Sequence, residues 1–342
     1  VIFLEPSTFP EPSRSFLQRA QRATQTIQKQ GLNYYAQNYA YKLLRDYFNL
    51  QRGKIHFVKP VWREINFKAL DIKGSARLLL NPSDTGFSRE FNVYGFREPL
   101  NSHAIFKSVK KTKPAVLDIG GNLGYFALLE REAGAKKVIV LEPVPSTFGF
   151  LSKTLEGQDQ FELMNAAISD GADFLNLFST EQRNVTSFSK AILTTHGHTV
   201  SEEIRAKAIS LDKVAEKYPI SMIRMDIEGY EYRILEKHLP DKIETICMEL
   251  HVIPPGTPNK EGAIDFLKKL GEQNFKVSVA INEMIYAYYP IIHHLGLKTA
   301  YEVVTTLNAL SRYCPQVQVD PSAKELSDMI PEKGQIHLIM QR

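Results

Sequence analysis

Apolar and aromatic residues recur at spacings of three and four through "RSFLQRAQRATQTIQKQGLNYYAQNYAYKLLRDYFNL", which predicts helix over residues 13–50 with a break at Gly31. Residues 54–82 then read as extended, with β-favouring "IHFV", "EINFKAL" and "ARLLL" around Pro60 and Gly74. "NPSDTG" is a turn cluster, and "SREFNVYGFREPLNSHAIFKSV" predicts two short helices around Gly95 and Pro99. From residue 115 short apolar runs take over: "AVLDI", "KVIVLE", "FELMNAAI", "SMIRMDI" and "TICMELH". Helical stretches over 122–133, 146–156, 211–218 and 229–238 lie between them. Continuously apolar strands alternating with helices specify a parallel sheet covered on both faces. "FLNLFS" and "TSFSKAIL" read as additional short strands, residues 260–272 as helix, and "FKVSVAI" and "QIHLIM" as the last strands. The expected fold is therefore α/β and Rossmann-like. Residues 1–113 form a helical and extended section, a candidate substrate-binding cap. Residues 114–342 carry the sheet, with an insertion at about 283–334.

A chain of 342 residues, 43% hydrophobic and 23% charged, is sized for one large domain or a core with a smaller addition. No apolar run reaches the roughly 20 residues that span a bilayer. "VIFLEPSTFPEPS" lacks a basic stretch followed by an apolar one, so no signal peptide is expected there. Cys247 and Cys314 form no C-x-x-C pair, which argues against a disulfide framework or a cysteine zinc site and makes a reducing cytoplasm the expected setting. The net charge of +4 is uneven: residues 1–113 carry +11 and the remainder −7. A basic front section suits an acidic partner, or simply complements the acidic remainder.

"VLDIGGNLGYFALL" runs from strand through a glycine loop into a helix, where a ligand can approach backbone and free N–H groups. The dinucleotide fingerprint G-x-G-x-x-G fails in either frame; the pattern is Asp118-x-Gly120-x-Asn122-x-Gly124. A carboxylate just before the loop would repel a pyrophosphate and suit a ligand with an ammonium group. Glu142 ends the next strand, about 20 residues on, where a carboxylate accepts hydrogen bonds from ribose hydroxyls.

The order of "DIGGNLGYFAL", "LEPVP", "NAAISDG", "ISLDKV", "IRMDIEGYEYRIL" and "CMELH", over about residues 115–252, resembles the FkbM family of class I S-adenosylmethionine-dependent methyltransferases. The upstream "TGFSREFNVYGFREP" is similar to the lead-in of archaeal-type members. The resemblance implies a seven-stranded sheet with the last strand antiparallel, S-adenosyl-L-methionine as cofactor and S-adenosyl-L-homocysteine as product. It implies that Asp118, Gly120, Asn122 and Gly124 surround the methionine end, with Glu142 on the ribose and Pro143 beside it. Asn165 and Ala166 would flank the adenine, Asp226 would stand next to the sulfonium, and Glu98 would reach the cofactor from the lead-in.

Catalytic candidates gather at two strand ends: Asp226 with Glu228, and Glu249 with His251, two residues apart and so on one face. A hydroxyl acceptor needs a base or a metal to remove its proton. His251 has the best intrinsic pKa for a base, and reads equally as a strand-end histidine satisfied by backbone bonds. Asp226, Glu249 and His251 could instead hold a divalent cation. Glu231 is most simply a helix-start acid. His196, His198, His293 and His294 fall in expected loops and are weak ligand candidates. The leading expectation is O-methylation of a small molecule or glycan. An RNA methyltransferase using the basic front section, and a non-catalytic cofactor-binding module, stay open beside it; a dehydrogenase is disfavoured.

Overall fold

A computed structural model describes residues 23–29, 32–53, 57–180, 186–195, 199–283, 288–307 and 315–342. His196, His198, Cys314 and the Gly31 break lie outside them. Strands β1 (Val61–Glu64) and β2 (Arg77–Leu80) form a small antiparallel pair. The main sheet contains β3 (Ala115–Ile119), β4 (Lys137–Leu141) and β5 (Phe161–Met164). A side sheet is built from β6 (Ala167–Ser169), β7 (Phe174–Thr180), β8 (Thr186–Ser187) and β9 (Val200–Ser210). The main sheet continues with β10 (Met222–Met225), β11 (Thr245–Val252), β12 (Lys276–Asn282), β13 (Gln316–Val319) and β14 (Gly334–Gln341). Its order is β13-β12-β14-β11-β10-β3-β4-β5. Strands β5, β4, β3, β10 and β11 are parallel, and β14 is antiparallel to both β11 and β12.

The sheet has eight strands rather than seven, because β13 from the 283–334 stretch adds to the edge at β12. "EINFKAL" is mostly turn, not strand: Asn66 accepts from the Ala69 N–H through its side chain and folds the segment back. "TSFSKAIL" is a two-residue strand followed by the helix Lys190–Thr195. The long β9 carries alternating charges and no apolar run, so the hydrophobic pattern passed over it.

Alternate residues along the sheet enter different cores. Leu117, Ile119, Ile223, Met225, Ile246, Met248 and Leu250 pack on one face with the helix Lys260–Glu272. Val116, Val138, Val140, Met222, Cys247 and Ile339 pack on the other, with the helix Tyr125–Ala133 and with Phe67, Leu78, Phe91 and Phe96 from the lead-in. The described N-terminal residues therefore share a core with the sheet. On this second face the apolar series stops near the strand ends. Asp118, Arg224, Glu249, His251 and His337 take its places there, all buried. That substitution of polar for apolar side chains on one face founds the site.

The lead-in reaches the same edge through a tight turn. The helix Phe87–Tyr94 ends on left-handed Gly95, and Glu98, itself at φ 41°, opens the helix Pro99–Thr112. Glu98 makes no capping bond with its side chain. Glu283, just beyond β12, supplies the cap instead, accepting from Leu100 N at 2.7 Å and Asn101 N at 3.0 Å. Glu283→Ala should cost about 1–2 kcal/mol in a denaturant titration, the loss typical of a removed N-cap. Among the described residues no helix is long and apolar enough to cross a membrane.

Candidate active site

The carboxyl ends of the parallel strands open onto a cavity of about 190 Å³, where ligands bind in open α/β sheets. Gly120, Asn122, Glu142, Pro143 and Ala166 line one side. Leu175, Leu177 and Phe188 come from the side sheet and its loop, and Arg97 and Glu98 from the lead-in. Asp226, Glu228, Glu249 and Gln335 close the rest.

The glycine loop is shaped by contact. Gly120 has φ 83°, and a Cβ there would stand 2.2 Å from the Asp226 carbonyl oxygen, so only glycine lets the two strand ends approach. Glu142 is fixed by backbone: Asn122 N donates to one oxygen at 3.0 Å and Val144 N to the other at 2.9 Å. Burial pushes the Glu142 carboxyl up to about 7, against the pull of those two bonds. Gly124 lies outside the cavity wall and turns the chain into the helix Tyr125–Ala133, close against Leu151. Asn165 is exposed and also off the wall; its amide donates to the Glu142 and Pro143 carbonyls and holds that turn.

Asp118 does not reach the cavity. It is fully buried, and Arg224 from the adjacent β10 position donates to it at 3.2 Å. The same guanidinium donates to Gly120 O at 3.1 Å and to Asp226 Oδ2 at 2.9 Å, and lies 4.1 Å from the Phe126 ring centroid. The cation expected beside Asp118 is thus supplied by the protein itself. Burial disfavours the Arg224 charge, but Asp118, Asp226, Glu98 and Glu130 outweigh it and raise its pKa. Burial also acts on Asp226, but Arg224 overrides it and the carboxyl falls below its ordinary value. Glu249 goes the other way: burial, then the like charge of Asp226, raises it well above the carboxylate range.

His251 is 1% exposed and does not line the cavity. Its Nδ1 is 3.0 Å from Glu231 Oε1, and its Nε2 is 3.3 Å from Glu228 Oε2, off the line of a hydrogen bond. Burial opposes the charged ring, yet Glu231 and Glu228 together raise its pKa well above the ordinary value. The two carboxylates thus favour the charged ring, which counts against His251 as the base. Glu231 is no exposed helix-start acid. It is 0% exposed, accepts from Ile227 N at 3.3 Å and Gly229 N at 3.2 Å, and orients His251. His293 belongs elsewhere, with Nδ1 3.3 Å from Tyr94 O and its ring against that tyrosine.

Sequence reasoning missed Arg224, Arg97 and Gln335. Arg224 had a signal, a cation inside the otherwise apolar "MIRM". Arg97 and Gln335 had none, since only the folded chain brings them to this edge. Arg97 is tied to Glu98 at 3.2 Å and Glu90 at 3.3 Å, and its carbonyl accepts from Ser102 Oγ at 2.6 Å.

Residues 118–277 match the family profile described as Methyltransferase FkbM domain. A search of curated proteins gave no match. Among solved structures, an S-adenosylmethionine-dependent methyltransferase from Agrobacterium tumefaciens is 10% identical, covering 84% of this chain and 72% of its own, with a TM-score of 0.41. A protein of the NADB-Rossmann superfamily from Streptococcus agalactiae is 11% identical (70% and 67% covered, TM-score 0.34). Precorrin-6y C5,15-methyltransferase from Geobacter metallireducens is 9% identical (70% and 85% covered, TM-score 0.33). Likeness at this level assigns neither substrate nor partner.

Proposed function

Because residues 118–277 are an FkbM methyltransferase domain, we propose that this chain transfers a methyl group from S-adenosyl-L-methionine to a hydroxyl oxygen of a small molecule or glycan. The observation that carries the reading is the cavity wall itself. Gly120, which lets the strand end close on the Asp226 carbonyl, presents backbone on the wall, and Glu142 stands with each oxygen on one backbone N–H and its remaining lone pairs free for a ribose diol. When bound, the cofactor supplies an electrophilic methyl group on a sulfonium. Glu98 and Asp226 put negative charge on the cavity wall, complementary to the ammonium and sulfonium of the methionine end. Ala166 and Pro143 offer apolar surface to the adenine beside Glu142. Gly124, Asn165 and Asp118 support this wall from behind. Glu228, a quarter exposed at the rim and held at φ 51°, is the carboxylate to which the acceptor hydroxyl would lose its proton. Holding the hydroxyl in line with the methyl group supplies much of the rate.

Ribose hydroxyls donate to a charged Glu142, so cofactor binding favours the carboxylate. With the carboxyl at about 7 in the free chain, affinity should be about eightfold weaker at pH 6 than at pH 7.5 and level above pH 8. Stability of the free chain has the opposite slope. The folded state binds more protons than the unfolded one, so this group's contribution is full below pH 4.5 and fades as pH rises through 7. Calorimetry at several pH values, with proton release read from buffers of different ionisation enthalpy, checks both. Flat affinity from pH 6 to 8 would remove Glu142 from the ribose site.

The acceptor is tested by incubating the chain with methyl-labelled cofactor and separated small-molecule, glycan and RNA fractions. Label in a small molecule or glycan, in a base-stable ether linkage, supports the proposal. Label in RNA overturns it in favour of an RNA enzyme, and cofactor binding with no transfer to any fraction favours a non-catalytic module.

A further inference from the structure

Beyond methyl transfer, we infer that Asp226, Glu249 and His251 form a divalent-cation site on the cavity wall. One oxygen from each carboxylate and one ring nitrogen lie within 4.8 Å of one another. Atoms sharing one metal shell with bonds near 2.2 Å stand about 3–4.5 Å apart. Small side-chain rotations therefore bring all three donors onto one ion. The fold sets this up: Asp226 follows the end of β10, and Glu249 and His251 share a face of the neighbouring β11.

Clustered acids alone would carry little. The histidine is the second, independent observation. Its Nδ1 meets the fully buried Glu231 carboxylate at 3.0 Å. A carboxylate on one ring nitrogen is the outer-shell arrangement that fixes the tautomer of a metal-bound histidine and points the other nitrogen at the metal. That other nitrogen, Nε2, is buried and has no hydrogen-bond partner. It faces Glu249 Oε2 at 3.9 Å. Glu249 is oriented in the same way, since Gln335 Nε2 donates to Oε1 and leaves Oε2 on the histidine side. Arg224 holds Asp226 Oδ2 at 2.9 Å. Each donor thus has an outer partner that sets its direction, and Glu228 adds a further oxygen 3.3 Å from Nε2.

Two carboxylates and an imidazole suit a divalent ion of the Mn²⁺ or Fe²⁺ type, with open positions for other ligands. Asp226 and Glu249 line the cavity, so those positions face it. Resting on the methyltransferase reading, the ion would bind the acceptor hydroxyl and lower its pKa. The proton passes to the Glu228 carboxylate and the oxygen lone pair forms the new C–O bond. The C–S bond breaks with its electron pair going to sulfur.

The test is Mn²⁺ titrated into chelator-stripped full chain, with free Mn²⁺ followed by electron paramagnetic resonance. One ion should bind per chain, and binding should weaken at least about tenfold in His251→Gln and in Glu231→Gln, the outer-shell variant. No uptake by the wild type up to millimolar Mn²⁺, or uptake unchanged in folded His251→Gln and Glu249→Gln, would overturn the site. Calorimetry with the cofactor on the same samples separates the two readings. Cofactor binding without Mn²⁺ uptake rejects only the metal site, and Mn²⁺ uptake without cofactor binding upholds the site and rejects only the methyltransferase reading.

Discussion

Replacing Arg224 with Met should cost about 3–5 kcal/mol of folding stability, because it leaves a fully buried carboxylate without its counter-charge. Among the described residues, Arg224 is the one group that touches Asp118, the glycine-loop carbonyl of Gly120 and Asp226 together. Asp118 has no route to water and keeps one oxygen unpartnered even in the wild type. The stacked Phe126 ring adds about 1–2 kcal/mol of cation–π attraction that Met cannot supply. Arg224→Lys keeps the charge but not the fork and should fall between wild type and Met. The double variant Asp118→Asn, Arg224→Met should lose less than the sum of the singles, since removing both charges removes the unpaired state. Denaturant midpoints measure all three. A loss under about 1 kcal/mol for Arg224→Met would mean that the buried pair is not what holds these strand ends together.

Gly120→Ala should be the most damaging single methyl group added to the site. The new Cβ would stand 2.2 Å from the Asp226 carbonyl oxygen and 3.3 Å from its carbon, at a φ of 83° that alanine disfavours. Backbone cannot swing aside as a side chain can, so β3 and β10 must separate at their carboxyl ends. We expect about 2–4 kcal/mol of lost stability and cofactor binding weakened by about a hundredfold or more, since the same movement displaces Asp226 and the Asn122 N–H that fixes Glu142. Gly149→Ala is the control. It lies in the helix Pro145–Thr154 with nothing within 4 Å of a Cβ, and should be neutral or gain about 0.5 kcal/mol. Equal effects at the two glycines, by thermal melting and calorimetry, would contradict the geometry of the loop.

What could be read from the chain follows from where its chemistry is local. The parallel strands were legible because burial on both faces makes them continuously apolar, as "AVLDI" and "TICMELH" are. The glycine loop and Glu142 were legible because spacing along one strand–loop–helix unit fixes them. Arg224 and Glu231 were not, because a cation in a strand and an acid at a helix start have common local explanations. Their partners, Asp118 and His251, are 106 and 20 residues away and are set by strand register. The local pattern therefore has Asp118 facing a ligand, whereas in the fold it faces Arg224. The side sheet escaped for a related reason. In its long strand Val200–Ser210 the alternation of Ile204, Ala206 and Ala208 with charged residues rests mostly on alanine, and only Ala206 is buried, so the signal is weak, although the sheet supplies Leu175 and Leu177 to the cavity.

The most direct test of the methyltransferase reading is calorimetric titration of the full chain with S-adenosyl-L-methionine, S-adenosyl-L-homocysteine and NAD. The account predicts that the first two bind once per chain and lose affinity in Gly120→Ala, and that NAD does not bind. A folded chain that binds neither sulfur ligand, or that prefers NAD, would contradict it.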